Sequence, residues 1–191
     1  MTAIAAIVLA AGRSSRMPGN KLLTLLDGKP VIRRTVEAAC ASRVGPVIVV
    51  TGHQAAAVNA ALTGLPVTIV ENERFADGLS TSLICGVKAL PPGCEGFAVL
   101  LGDMPFVTPG IIDRLIGAFE PGGRIVVPVH SGRRGHPVLW PITLREAFLS
   151  LTGDRGAKPL MALYGDLVYE LEVSSDAIFA DLDTPEDFAR L

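Results

Sequence analysis

Short apolar bursts rich in Val and Ile alternate with helical patterns along this chain, and no other feature narrows its fold as much. The bursts span residues 4–9, 47–50, 67–70, 97–101 and 125–129. Between them lie helical candidates at 30–41, 54–62, 80–90 and 108–119. In the first, Pro30 stands at a starting position, and Ile32, Val36 and Ala39 recur at helical spacing. In the last, Thr108 offers a cap and Pro109 a first helical residue. Continuous apolar strands are strands buried on both faces. The alternation therefore predicts a three-layer α/β fold, with helices on both faces of a mainly parallel central sheet.

Beyond residue 130 the pattern loosens. A polar, glycine-rich loop at 131–137 precedes a short strand at 138–140 and short helices at 143–151 and 158–164. A strand at 168–173 and a shorter one at 178–182 follow. Thr184-Pro185-Glu186-Asp187 then opens a last helix with a cap, a proline and an acidic third position. At 191 residues the chain suits one domain with a proper core. Apolar residues at 49% against 19% charged exclude a disordered chain. A net charge of −2 speaks against a nucleic-acid binder, but not against a local cationic pocket for a small anion. The apolar start is broken at Gly12-Arg13, far short of the roughly 20 residues of a membrane helix, and lacks a leading basic segment. Cys40, Cys85 and Cys94 show no metal spacing. Reduced thiols and a cytoplasmic location are expected.

Ligands of open parallel sheets bind beyond the carboxyl ends of strands. Three polar groups fall there. The first is the loop from Leu9 through Ala10, Ala11, Gly12, Arg13 and Arg16 to Lys21, small and cationic as a polyphosphate requires. It is neither a Walker A motif nor Gly-x-Gly-x-x-Gly. The others are Gly102-Asp103 and Asp181-Leu182-Asp183. Two separated carboxylates facing a cationic loop suit Mg²⁺ bridging phosphate oxygens, which makes Asp103 and Asp183 the metal candidates. Each signal alone has a plain reading: a solvated turn for the loop, a turn former for Asp103, a helix cap for Asp183.

In combination they resemble the motifs of nucleotidyltransferases that activate sugars and cofactors. The chain is most similar to the molybdenum cofactor cytidylyltransferase family, through Gly78-Leu79-Ser80-Thr81-Ser82-Leu83, Gly135-His136-Pro137-Val138 and Gly153-Asp154-Arg155-Gly156-Ala157. The resemblance runs nearly the whole length and implies a Rossmann-like nucleotidyltransferase fold. It implies a single domain over 1–191, with nucleotide binding mainly in 1–129 and acceptor binding mainly in 130–182. The backbone of Leu9, Ala10, Ala11 and Gly12, with Arg13 and Lys21, would hold the nucleotide. Gly78, Ser80, Thr81 and Ser82 would line the base and ribose. Arg16, Lys21 and Asp103 would be catalytic, Asp103 and Asp183 would bind Mg²⁺, and His136, Asp154 and Arg155 would face the acceptor. The implied substrates are CTP and molybdopterin or its molybdenum form. The implied partner is a molybdenum hydroxylase or its chaperone, with no nucleic acid and no membrane.

Ala10-Ala11, in place of a glycine pair, fits the cytidylyl branch better than the guanylyl one. Pro18 departs from the family's usual glycine and leaves Gly19 to close the loop. GTP as donor, a sugar or polyol phosphate as acceptor, and a non-catalytic cofactor-delivery protein are the alternatives. His53, His130 and Arg133-Arg134 read as loop or solvated groups, Glu71-Asn72-Glu73-Arg74 as a polar strand exit, and Trp140 and Phe148 as core.

Overall fold

The computed structural model describes residues 3–13, 19–120, 122–182 and 187. Strand β1 (Ile4–Ala10) leads through a 3-10 turn at Lys21–Leu23 to a small hairpin, β2 (Leu25–Leu26) and β3 (Lys29–Pro30). Next come α1 (Val31–Cys40), β4 (Val47–Thr51), α2 (Ala55–Ala61) and β5 (Val67–Glu71). A 3-10 turn at Phe75–Asp77 precedes α3 (Leu79–Lys88), β6 (Gly96–Leu101), α4 (Pro109–Ala118) and β7 (Ile125–His130). After them run β8 (Arg133–Arg134), β9 (Val138–Pro141), α5 (Arg145–Leu149), α6 (Lys158–Leu163) and β10 (Val168–Glu172).

Among the described residues, eight strands form one sheet in the order β10-β7-β9-β6-β1-β4-β5, with β8 paired to β7. β1 lies at its centre, parallel to both β4 and β6. Every residue of β1 is buried, which explains its unbroken apolar run. Ile4, Ala6, Val8 and Ala10 pack against Ile32 and Val36 of α1, Val58 of α2 and Ile112 of α4. Ala5, Ile7 and Leu9 pack on the other face with Leu83 and Val87 of α3, Phe148 of α5 and Leu160 of α6. This is the expected three-layer architecture. Trp140 and Phe148 sit in the second core with ring centroids 4.9 Å apart.

From β1 the chain steps outward to β4 and β5, then returns to place β6 on the opposite side of β1. That reversal opens a crevice at the carboxyl ends of β1 and β6, where such sheets bind ligands. β9 runs antiparallel to β6, with Val138 opposite Val99 and Pro141 opposite Gly96. The loop before β9, carrying Gly135 and His136, therefore arrives at the same rim as Asp103.

The sequence reading needs several adjustments. Pro30 caps α1 from outside, with extended backbone, instead of starting it. The loop at 131–137 contains a turn at Ser131 and Gly132, both with positive φ, which brings Arg133 and Arg134 back onto β7 as β8. No strand forms at 178–182. The Ser175 hydroxyl accepts the Ala177 N–H and caps a 3-10 turn, Asp176–Ile178. The chain beyond it makes single backbone bonds, His136 N–H to the Ile178 carbonyl and Leu182 N–H to the Asp103 carbonyl. The β2–β3 hairpin, turned by Asp27 and Gly28 at positive φ, was not foreseen. Arg16, Pro18, Asp183 and the helix start at 184–186 lie outside the described residues; Asp187 is helical.

Candidate active site

A cleft of about 640 Å³ opens at the crevice between β1 and β6. Its floor is the end of β1: Leu9, Ala11 and Gly12. Arg13 and Lys21 stand over one side, and Phe75 to Leu79 form the opposite wall with Ser82. Asp103 and the Gly153-Asp154 turn complete the rim. Residues from the loop after β1, the 75–82 segment, the end of β6 and the 153–154 turn therefore meet in one cavity, while the 135–138 motif stays outside its lining.

Each wall has a local cause. Asn20 accepts the Leu22 N–H through Oδ1, starting the 3-10 turn. Leu22 is buried in the core, and that anchor presents Lys21 toward β6. The Lys21 ammonium donates to the Asp103 carboxylate, and both side chains are only 15% exposed. Asp103 follows Gly102, whose N–H continues the ladder to the Leu9 carbonyl at 2.9 Å. A Cβ on Gly102 would stand 2.8 Å from that carbonyl oxygen and 2.8 Å from Ile32, so only glycine lets β1 and β6 close here. Buried Thr35 donates to the Gly102 carbonyl from below at 3.2 Å. The Arg13 guanidinium lies 5.6 Å from the Phe75 ring centre.

The far wall depends on a clamp. The Asp154 carboxylate accepts the Leu79 N–H at 2.9 Å, and the Gly153 carbonyl accepts the Ser80 N–H. The first amides of α3 are thereby satisfied from a segment 75 residues away. Gly78 makes the clamp possible: its φ is +113°, and a Cβ would lie 2.7 Å from the Gly153 carbonyl oxygen. Behind this wall sits Asn72, a residue read from sequence as a polar strand exit. It is buried, and its amide bonds Thr81, Ser82 and the backbone of Arg74. Asp77, ion-paired to Arg74, was also overlooked. Neither has a spacing signature; only the return of the chain after β5 brings them to the cleft.

Some candidates lie off the cleft. Ala10 points into the core, leaving its backbone alone near the ligand space. Ser80 is buried beneath the clamp, and the Thr81 hydroxyl is occupied with Asn72 and the Arg74 and Gly78 carbonyls. Arg155 is exposed outside the lining. His136 borders a small separate void with Thr35, Met104 and Val107. Its Nδ1 is buried without a hydrogen-bond partner among the described residues. Burial pushes the imidazole below its usual range, against the upward pull of Asp103 and with a smaller downward push from Lys158. Gly135 holds this turn in place, since a Cβ there would run into the Ile178 carbonyl oxygen. His53, stacked obliquely near Phe75, and His130, near Glu172, stay outside the cleft lining. The thiols of Cys40, Cys85 and Cys94 are free, and burial raises all three.

The donor set bears on a metal. Among the described residues no cluster of three or more His, Cys, Asp or Glu could cage an ion. Of the described aspartates that line the cleft, Asp77 is paired with Arg74 and Asp154 caps α3, while Asp103, at the end of β6, already holds a cation, the Lys21 ammonium. This fits a hard divalent ion that takes one or two carboxylates and completes its shell with water and substrate phosphates. No described helix is long and apolar enough to cross a membrane.

Residues 6–170 match the family model described as "MobA-like NTP transferase domain". The chain is 31% identical to the molybdenum cofactor cytidylyltransferase of Escherichia coli K12, over 98% of this chain and 95% of that one. It is 32% identical to the molybdenum cofactor guanylyltransferase of Mesorhizobium japonicum, covering 98% and 93%. It is also 29% identical to the nicotine blue oxidoreductase of Paenarthrobacter nicotinovorans, covering 98% and 96%. Among solved structures, a nucleotidyl transferase from Methanothermobacter superposes with a TM-score of 0.86 at 31% identity, covering 98% and 95%. Rv0371c of Mycobacterium tuberculosis H37Rv, in complex with manganese, superposes with a TM-score of 0.82 at 31% identity, covering 100% and 98%.

Proposed function

The chain belongs to the family of MobA-like NTP transferase domains, and on that premise we propose that it transfers CMP from CTP to the molybdenum cofactor and releases pyrophosphate. The observation that carries the reading is the Lys21–Asp103 pair at the mouth of the cleft between β1 and β6. Joining two polyanions asks for alignment and charge neutralisation more than for covalent work by the protein.

The amides and cations from Leu9 to Lys21 take the triphosphate, with Lys21 and Arg16 offsetting charge as pyrophosphate departs. Asp103 and Asp183 are the residues that would hold Mg²⁺, which supplies Lewis-acid polarisation of the phosphate oxygens. Gly78 and Ser82 border the base and ribose. Asp154 and Arg155 belong to the acceptor side, which residues 130–182 mainly form. His136, which the resemblance also sets on the acceptor side, borders a small void beside the cleft. A molybdenum hydroxylase or its chaperone would receive the product.

A second reading, an oxidoreductase, is raised by the similarity to an enzyme of that name at 29% identity. Against it stands the use of the cleft mouth by a cation–carboxylate pair suited to phosphate chemistry. The test is pyrophosphate release from CTP, GTP, ATP and UTP in Mg²⁺, with and without molybdopterin. CTP-selective, pterin-dependent release is expected. Release driven equally by a sugar phosphate, or by GTP in preference to CTP, overturns the reading.

A further inference from the structure

Ser82 is 4% exposed, yet it lines the cleft. Its hydroxyl is not free to choose its role. The Asn72 side-chain nitrogen lies 2.8 Å from the Thr81 hydroxyl and 3.0 Å from the Ser82 hydroxyl. The Asn72 side-chain oxygen accepts the Arg74 backbone N–H at 3.0 Å. That backbone N–H can only donate, so the amide cannot be flipped: its oxygen must face Arg74 and its two N–H groups must face the hydroxyls. Asn72 is itself held, since its own backbone N–H donates to the Thr51 carbonyl at the end of β4, 2.8 Å away.

The two hydroxyls then part company. Thr81 receives one Asn72 N–H and passes its proton to the carbonyls of Arg74 or Gly78, both at 2.9 Å. Ser82 receives the other, and no acceptor among the described residues lies within hydrogen-bond reach of its own proton. A buried hydroxyl that already accepts one N–H and has its proton unspent gains most from a ligand that accepts that proton. The cleft it lines is where that proton can go.

We propose that Asn72 is a positioning residue that turns the Ser82 hydroxyl into a hydrogen-bond donor to the bound nucleotide's base, selecting bases that present an acceptor there. The inference rests on the nucleotide-binding reading above and deepens it. A site built to give a hydrogen bond discriminates more sharply than an apolar wall, because a base offering a donor leaves two buried protons facing each other.

The isosteric variant Asn72→Asp reverses the pattern. Its carboxylate accepts from both hydroxyls and turns the Ser82 proton away from the ligand. The probes are CTP, GTP, ATP and UTP, with equilibrium binding measured for each on wild type, N72D, S82A and the double variant. Wild type is expected to favour one base. N72D and S82A should each weaken that nucleotide about tenfold while changing the disfavoured ones little, so the selectivity ratio collapses. The double variant should lose no more than S82A alone, the mark of one shared interaction. Equal weakening of all four nucleotides would mean a structural role only and overturns the proposal, as does an unchanged ratio in S82A. S82A keeps the test decisive if N72D does not fold. If wild type binds none of the four, the nucleotide reading itself fails and this inference with it, an outcome distinct from binding with an unaltered ratio.

Discussion

Lys21 and Asp103 are the residues whose chemistry is most exposed to test. Each side chain is largely withdrawn from water, so their attraction is only weakly screened. Lys21→Met keeps the length and removes the charge. Loss of one donor aimed at developing charge typically costs on the order of 10²–10³ in rate. A fall of that size in pyrophosphate release is expected for K21M; an unchanged rate would remove Lys21 from charge stabilisation. His136 makes a different prediction, about pH. Burial keeps its folded pKa below the ordinary 6.5, despite the neighbouring Asp103. Between those two values the unfolded chain binds the proton and the folded chain does not. Stability therefore falls as pH drops below 6.5, through the folded value. Urea midpoints at pH 7 and pH 5.5 should differ less in His136→Asn than in wild type. At this scale legibility was uneven. Asp103 stood out only as a carboxylate at a strand end after Gly102, where a turn former was an equal reading, and Lys21 only as a cation of the loop that follows β1. Asn72 did not, because a polar residue after a strand looks the same whether it is solvated or buried under a returning helix.

At the scale of elements, the alternation of apolar bursts and helical spacing was enough to locate β1, β4 to β7 and α1 to α4 within a residue or two. Burial on both faces makes such strands apolar throughout, and caps such as Thr108 mark where helices start. Strand direction was not legible. β9 is an apolar burst like its neighbours, but its antiparallel run depends on pairing between β6 and β7. The failed strand at 178–182 has the same origin: apolar residues there meet two different loops, Gly135-His136 and Asp103, and no strand edge. The junction of β1 and β6 yields the sharpest element-level prediction. A methyl on Gly102 enters the space of the Leu9 carbonyl and of Ile32, one of which must give way. Overpacking of this kind costs about 1–3 kcal/mol. Gly102→Ala should lower the denaturation midpoint accordingly. It should also slow turnover more than Gly12→Ala, whose added Cβ meets nothing within 4 Å.

For the molecule as a whole, the cleft draws its walls from three strand ends or the segments that follow them, and from the 153–154 turn. None of these is a neighbour in sequence, and each is rooted in one or other of the two cores on the faces of β1. A ligand that spans them ties β1, the segment after β5, β6 and the Gly153-Asp154 turn together, and it finds no such arrangement in the unfolded chain. Binding must then raise global stability, by about 2.7 kcal/mol at a hundredfold excess over Kd. For a chain of this length that corresponds to roughly 5–10 °C in Tm. The expected result is a shift of this size with CTP and Mg²⁺ in a thermal melt. The shift should shrink when the divalent ion is chelated, because the triphosphate then meets the Asp103 carboxylate without a bridging cation. In Asp103→Asn the difference between chelated and Mg²⁺-containing melts should largely vanish. A CTP shift that ignores both chelation and the Asp103 substitution would place the triphosphate away from the β6 end, with the metal bound by other groups.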